Sequence, residues 1–287
     1  MKAIFKRELT SYFNNMTGYI FTAFTVFIIG IYVMYYCLKN GYPYFEYVVS
    51  NVEFFYLMTI PVLTMKVVAE DKKQRTDQLL YSLPLSMRQI VLGKFFAMAV
   101  VLFLPVIELM ILPPVLNIYG DIALSTAYSS IFAYYMLGLA LTAIGLFISS
   151  LTDNQLAAAA ITFVIVLVSY LMTGLSSYIP GDSFSSYISF AVIILLACIV
   201  IWFMTKSKAA SLIIFGVAEA CLLLFYAIKK TAFEGLIHKV ISGISLFDKA
   251  DNFFYGIFDL TGVVYFLSVI VLFIFLTIQS MEKRRWS

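Results

Sequence analysis

The chain has 287 residues, of which 62% are hydrophobic and 12% charged, and its formal net charge is +3. Soluble domains carry about 25% charged residues, so a soluble fold is excluded, and so small a net charge gives no sign of nucleic-acid binding. Three cysteines, Cys37, Cys198 and Cys221, fall in or beside apolar runs. They form neither a disulfide framework nor a metal-ligand pattern.

In chain order, residues 2–13 read as an amphipathic helix. Phe5, Leu9 and Tyr12 share one face with Phe13 beside them, and Lys2, Lys6, Arg7 and Thr10 face away. This predicts either an interfacial helix over 1–16 or a simple basic anchor. The first apolar run, 17–38, has the roughly 20 residues that cross a bilayer as helix. It follows basic residues, but it is too long for a signal-peptide core and lacks a clear small-residue cleavage site. Tyr32, Tyr35, Tyr36, Tyr42, Tyr44 and Tyr47 gather near its far end, like an interfacial aromatic belt.

Further apolar runs lie at 52–69, 91–117, 127–150, 156–178, 187–205, 209–228 and 261–280. They are continuous rather than alternating, which argues against a β-barrel. The expected fold is an all-α polytopic membrane protein with about eight transmembrane helices, in one domain over 1–287.

Between the second and third runs sits a crowded polar segment, 70–86. It begins Glu70-Asp71-Lys72-Lys73-Gln74-Arg75-Thr76-Asp77 and ends Leu83-Pro84-Leu85-Ser86. Residues 70–81 are helix-compatible, Pro84 interrupts them, and Ser86 with Gln89 matches a capping box ahead of the third run. A solvated connector would not need Leu79, Leu80, Leu83 and Leu85 beside its charges. A short helix of mixed apolar and charged character suits docking against a protein.

Two acids fall well inside apolar runs. Glu108 lies between Pro105 and Pro113-Pro114, and Glu219 near the middle of 209–228. An ionised acid at the bilayer centre costs roughly 2.5–3.5 kcal/mol. Each is therefore either part of a polar transport pathway or a hydrogen-bonded interhelical contact. Gly138, Thr142, Gly145 and Ser149 recur on one face of the fourth run and permit close helix approach, in a dimer seam or within the chain. Residues 231–247 carry Phe233, Leu236, Ile237, Val240, Ile241 and Ile244 at helical spacing. They predict an amphipathic helix within a segment 229–259 outside the spans.

With eight spans both termini share one side. Placing them in the cytoplasm puts 14 of the 19 basic residues inside, as the positive-inside rule requires. The expected location is a multi-pass protein of the cell membrane, with 70–86 cytoplasmic and 229–259 on the outer side.

Catalytic motifs are absent. The one Gly-Lys pair, Gly93-Lys94, has Arg88 where a P-loop needs its first glycine. The single histidine, His238, has no clustered ligands. No catalytic residue, metal site or cofactor of this chain's own is expected.

Glu70, Thr76-Asp77-Gln78-Leu79-Leu80, Pro84-Leu85-Ser86 and Ile90-Val91-Leu92-Gly93-Lys94-Phe95 together resemble the segment after the second span of type-2 ABC exporter permeases. Lys6-Arg7-Glu8-Leu9 with Tyr12-Phe13 is similar to that family's opening interface helix. Gly256-Ile257-Phe258-Asp259 and the Arg284-Arg285-Trp286 tail resemble its gliding-type branch. Two positions depart from the pattern: Gln78 stands where Glu is usual, and Arg75 where a small residue or Gly is common. The usual core has six spans, so 187–228 reads as an added helix pair.

The resemblance implies a permease subunit that pairs with a second permease copy and with separate ATPase subunits, which bind ATP and magnesium. Segment 70–86 would be the coupling helix, with Glu70, Arg75, Thr76, Asp77, Gln78, Leu79, Leu80, Pro84 and Ser86 at the ATPase contact. The loop Ser149 to Gln155 would be a second, smaller contact, and the direction of transport would be export. The alternatives are an ion- or proton-coupled secondary transporter using Glu108 and Glu219, and a lipid-modifying enzyme using His238.

Overall fold

The computed structural model describes residues 1–76, 86–178, 180–191 and 234–286, together with 194, 215, 216, 219, 220, 222, 223, 225 and 226. The described residues are helical, with no strand among them. Among the described residues, six helices are long and apolar enough to cross a membrane: Thr17–Lys39, Glu46–Lys73, Met87–Asn117, Leu124–Leu151, Gln155–Met172 and Leu260–Arg284. The expected spans 187–205 and 209–228 lie largely outside the described residues. The chain divides into one unit of Met1–Val168 with Leu246–Ser287, and another of Ser169–Ser245.

In the first unit, α1 (Lys2–Asn14) buries Ile4, Glu8 and Tyr12. Tyr12 lies on the inner face as the sequence suggests, but Ile4 and Glu8 share it in place of Phe5 and Leu9. Phe5, Leu9 and Phe13 are half-exposed, because Glu8 meets a buried lysine. The first span, α2 (Thr17–Val33), runs on through a π-helical turn, Met34–Lys39. The second span is segmented. It comprises α3 (Glu46–Val52), a 3-10 turn (Glu53–Phe55), α4 (Tyr56–Thr64) and α5 (Ala69–Lys73). Hydropathy alone placed its start at 52, because Glu46 and Glu53 dilute the apolar signal; both side chains are buried.

The third span, α6 (Met87–Asn117), holds Pro105, Pro113 and Pro114 within one helix. A proline leaves the carbonyl four residues back without its helical donor. For Pro114 that carbonyl belongs to Met110, and the Tyr128 hydroxyl donates to it at 3.1 Å. Tyr128 lies on α7 (Leu124–Leu151). Interhelical donors of this kind let prolines persist in membrane helices.

Helix α7 is the centre of the unit. It packs against α3, α4, α6, α10 (Leu246–Phe254) and α11 (Leu260–Trp286). Its glycines make room for α4. A Cβ on Gly138 would stand 2.7 Å from the Tyr56 hydroxyl oxygen, and one on Gly145 2.7 Å from Thr64 Cβ. At these two positions the small residues serve packing within the chain. Beside Gly138 the Tyr56 and Tyr134 rings stack with centroids 4.5 Å apart, and Tyr56 donates to the Tyr134 carbonyl at 3.0 Å. Helix α8 (Gln155–Tyr178) follows. Large apolar side chains on the span surfaces, such as Phe27 and Val271, are exposed, as a lipid-facing surface requires.

In the second unit, α9 (Leu236–Ile244) lies within the expected amphipathic stretch. It ends at Ser245, which is buried; its hydroxyl donates to the Ser169 carbonyl at 3.2 Å.

Candidate functional site

The polar ends of several helices in the first unit meet at one charged junction. Its centre is Lys94 on α6, only 1% exposed. A lysine ammonium has three donors and no acceptor, and all three donors are used here. Lys94 Nζ donates to Glu8 Oε1 at 2.9 Å, to Asp71 Oδ2 at 2.5 Å and to the Val67 carbonyl at 2.6 Å. The three acceptors come from α1, α5 and the turn between α4 and α5. Arg7 also pairs with Glu8, and reaches Asp71 Oδ2 at 3.5 Å. Two cations thus face two carboxylates.

Gly93 explains how α1 comes so close. A Cβ there would lie 3.1 Å from Ile4 Cγ2, so the bare glycine lets α1 settle on α6 and brings Glu8 to Lys94. One turn further along the same face of α1, the Tyr12 hydroxyl donates to the Leu63 carbonyl of α4 at 2.8 Å.

A second set of contacts ties α5 to the far end of α7. The Ser149 hydroxyl oxygen accepts the Val68 and Ala69 amides at 3.2 and 3.1 Å, and donates to the Met65 carbonyl at 3.3 Å. It thereby satisfies the backbone where the second span breaks. Lys72, 6% exposed, donates to the Ser150 carbonyl and lies 3.7 Å from Asp153 Oδ1. Asp153 also accepts from Arg284 of α11 at 2.7 Å. The Arg284 guanidinium, with help from Lys72, holds the Asp153 carboxyl below the usual carboxylate range.

Of the residues singled out in 70–86, the structure places Glu70, Arg75, Thr76 and Ser86. Glu70 Oε1 accepts from Gln74 Nε2 at 3.1 Å. Thr76 donates to Asp71 Oδ1 at 3.0 Å, so it buttresses the carboxylate that Lys94 holds. Arg75 is exposed with φ of 57°, the left-handed region that costs a side-chain-bearing residue about 1–2 kcal/mol. Ser86 caps α6, its hydroxyl oxygen accepting the Gln89 amide at 3.4 Å. Asp77, Gln78, Leu79, Leu80 and Pro84 lie outside the described residues.

Glu108 and Glu219, the two acids of the apolar runs, belong to different units. Glu108 on α6 is half-buried, and its Oε2 has no hydrogen-bond partner among the described residues. Glu219 Oε1 accepts from the Tyr187 hydroxyl at 2.9 Å. His238 is half-buried with Nδ1 unpartnered among the described residues. No group of three or more metal-ligating side chains occurs among the described residues.

Sequence reasoning missed the Lys94 junction. One signal was present: a lysine at the start of a long apolar helix must find carboxylate partners or stay in water. Which carboxylates it finds depends on α1 folding back, and no local pattern encodes that.

A family model described as "ABC-2 family transporter protein" matches residues 38–196. The match takes in the second to fifth spans, all of 70–86 and the 149–155 loop. No curated protein matches the chain.

Proposed function

Because the chain belongs to the ABC-2 transporter family and is thereby a multi-pass permease subunit of an ABC transporter, we propose that it is an exporter powered by separate ATPase subunits that dock on 70–86. In this reading the Lys94 side lies in the cytoplasm with both termini, in the cell membrane, and a second permease copy completes the transporter. ATP and magnesium stay with the ATPase.

The observation that carries the reading is the bond between Asp71 and Lys94. Asp71 sits at the start of 70–86, and Lys94 near the start of the third span. Force applied to 70–86 would pass through Asp71 to Lys94 and Glu8, and so to the third span and α1 together. Lys72, Asp153 and Arg284 would carry the same force to the loop before the fifth span and to the last helix. Glu108 and Glu219 then act as interhelical polar residues.

The test is co-purification. A tagged chain drawn from its native membrane should bring an ABC ATPase with it and have no ATPase activity alone. Leu79→Asp combined with Leu80→Asp should abolish that association while the variant still inserts. An intact complex in the double variant would reject docking through 70–86.

A further inference from the structure

Beside the junction lies a cavity of about 330 Å³, lined by α1, the start of the first span and the end of the second. Among its lining residues are Tyr12, Thr17, Lys66, Glu70 and Gln74. Its size reaches the lower end of the range for small-ligand sites, about 300–1,000 Å³.

Two of its charges have no charged partner among the described residues. Lys66 makes one hydrogen bond, to the neutral Thr17 hydroxyl at 3.3 Å, and no described carboxylate pairs with it. Glu70 accepts only from the neutral Gln74 amide, and no described cation pairs with it. Lys66 and Glu70 stand one helical turn apart, since the Glu70 amide bonds the Lys66 carbonyl. Opposite charges at that spacing usually pair, although a lysine preceding a glutamate is the weaker order. Here Lys66 turns to Thr17 instead, and both charges open into the same cavity. The remaining charged residues lining it, Arg7, Glu8 and Asp71, already pair with one another or with Lys94.

We propose that this cavity binds the zwitterionic phosphoethanolamine headgroup of a membrane lipid, its phosphate on Lys66 and Thr17 and its ammonium on Glu70. Depth favours a lipid over a soluble zwitterion. Thr17 is the first residue of the first span, and Lys66 lies near the end of the second, so the cavity sits where headgroups are. A choline headgroup has no N–H to give Glu70, and a glycerol headgroup has no cation, so phosphatidylethanolamine should be preferred over both.

The full chain, purified in detergent and exposed to vesicles of phosphatidylethanolamine, phosphatidylcholine or phosphatidylglycerol, is examined by native mass spectrometry for retained lipid. Wild type should keep phosphatidylethanolamine selectively. Lys66→Gln should lower its retention about tenfold, the loss expected of one charge-assisted hydrogen bond. Glu70→Gln should keep the lipid but erase the preference over phosphatidylglycerol, a change of selectivity that misfolding would not produce. Equal retention of the three lipids by wild type would overturn the proposal. So would unchanged retention in Lys66→Gln, or displacement of the lipid by soluble phosphoethanolamine. Loss of the lipid when the ATPase binds would assign the cavity to the partner and also overturn it.

Discussion

Asp71 and Lys94 stand 23 positions apart in the chain, yet their carboxylate and ammonium meet at 2.5 Å. Lys94 is nearly buried and has no water to fall back on. Removing it leaves Glu8 and Asp71 with only the exposed Arg7 as a shared cation. Lys94→Met should therefore destabilise the protein by about 3 kcal/mol, the lower end for breaking a buried ion pair. A thermal unfolding midpoint equal to wild type would show that the junction contributes nothing to the fold.

Helix contact at Gly145 makes a second prediction. Gly145→Ala drives a methyl group into Thr64, and overpacking of this kind costs about 1–3 kcal/mol. Gly30→Ala serves as the control, since a Cβ there meets nothing within 4 Å. By helix propensity alone it should gain up to about 1 kcal/mol. The two substitutions should move the unfolding midpoint in opposite directions.

Arg75 holds a backbone conformation that suits glycine, with φ of 57°. Arg75→Gly should stabilise the isolated chain by about 1 kcal/mol, the strain a side chain incurs there. A lowered unfolding midpoint would mean that the arginine side chain makes a compensating contact.

On α10, burial and then the neighbouring Asp248 push the Asp251 carboxyl up to about 6. Glu53, buried on the 3-10 turn, is also within electrostatic reach of Asp251. An unfolded aspartate releases its proton near about 3.9. Between these values the folded chain holds a proton that the unfolded chain has lost. Stability attributable to this group therefore falls as pH rises from about 4 to about 6, and is level above that. Asp251→Asn should flatten that part of the pH–stability curve; an unchanged slope would place the titration elsewhere.

The spans that composition made legible were those whose apolar runs are unbroken. The third run was expected from 91 and begins at Met87, because Ser86 caps the helix before the hydrocarbon starts. The last was expected to end at 280 and continues to Trp286, where its charged end reaches Asp153. The expected face of α1 matches at Tyr12 and departs at Phe5 and Leu9, because a helical pattern counts Glu8 as a solvent residue. The stripe of small residues was visible in the sequence, but not the partner it would meet: Gly138 and Gly145 receive Tyr56 and Thr64 only once α7 lies against α4.

Sequence by itself determined the membrane class and the position of the polar segment between the second and third spans. These follow from the local cost of placing each residue in hydrocarbon or water, and that cost is written residue by residue. Tertiary structure decided which charges meet. Lys94 needed Glu8 from 86 positions away and Asp71 from 23, and Lys72 needed the Ser150 carbonyl 78 positions on. A buried charge must be paired, but the obligation does not name the partner. Only the packing of α1 on α6, made possible by the missing side chain at Gly93, brings Glu8 to Lys94.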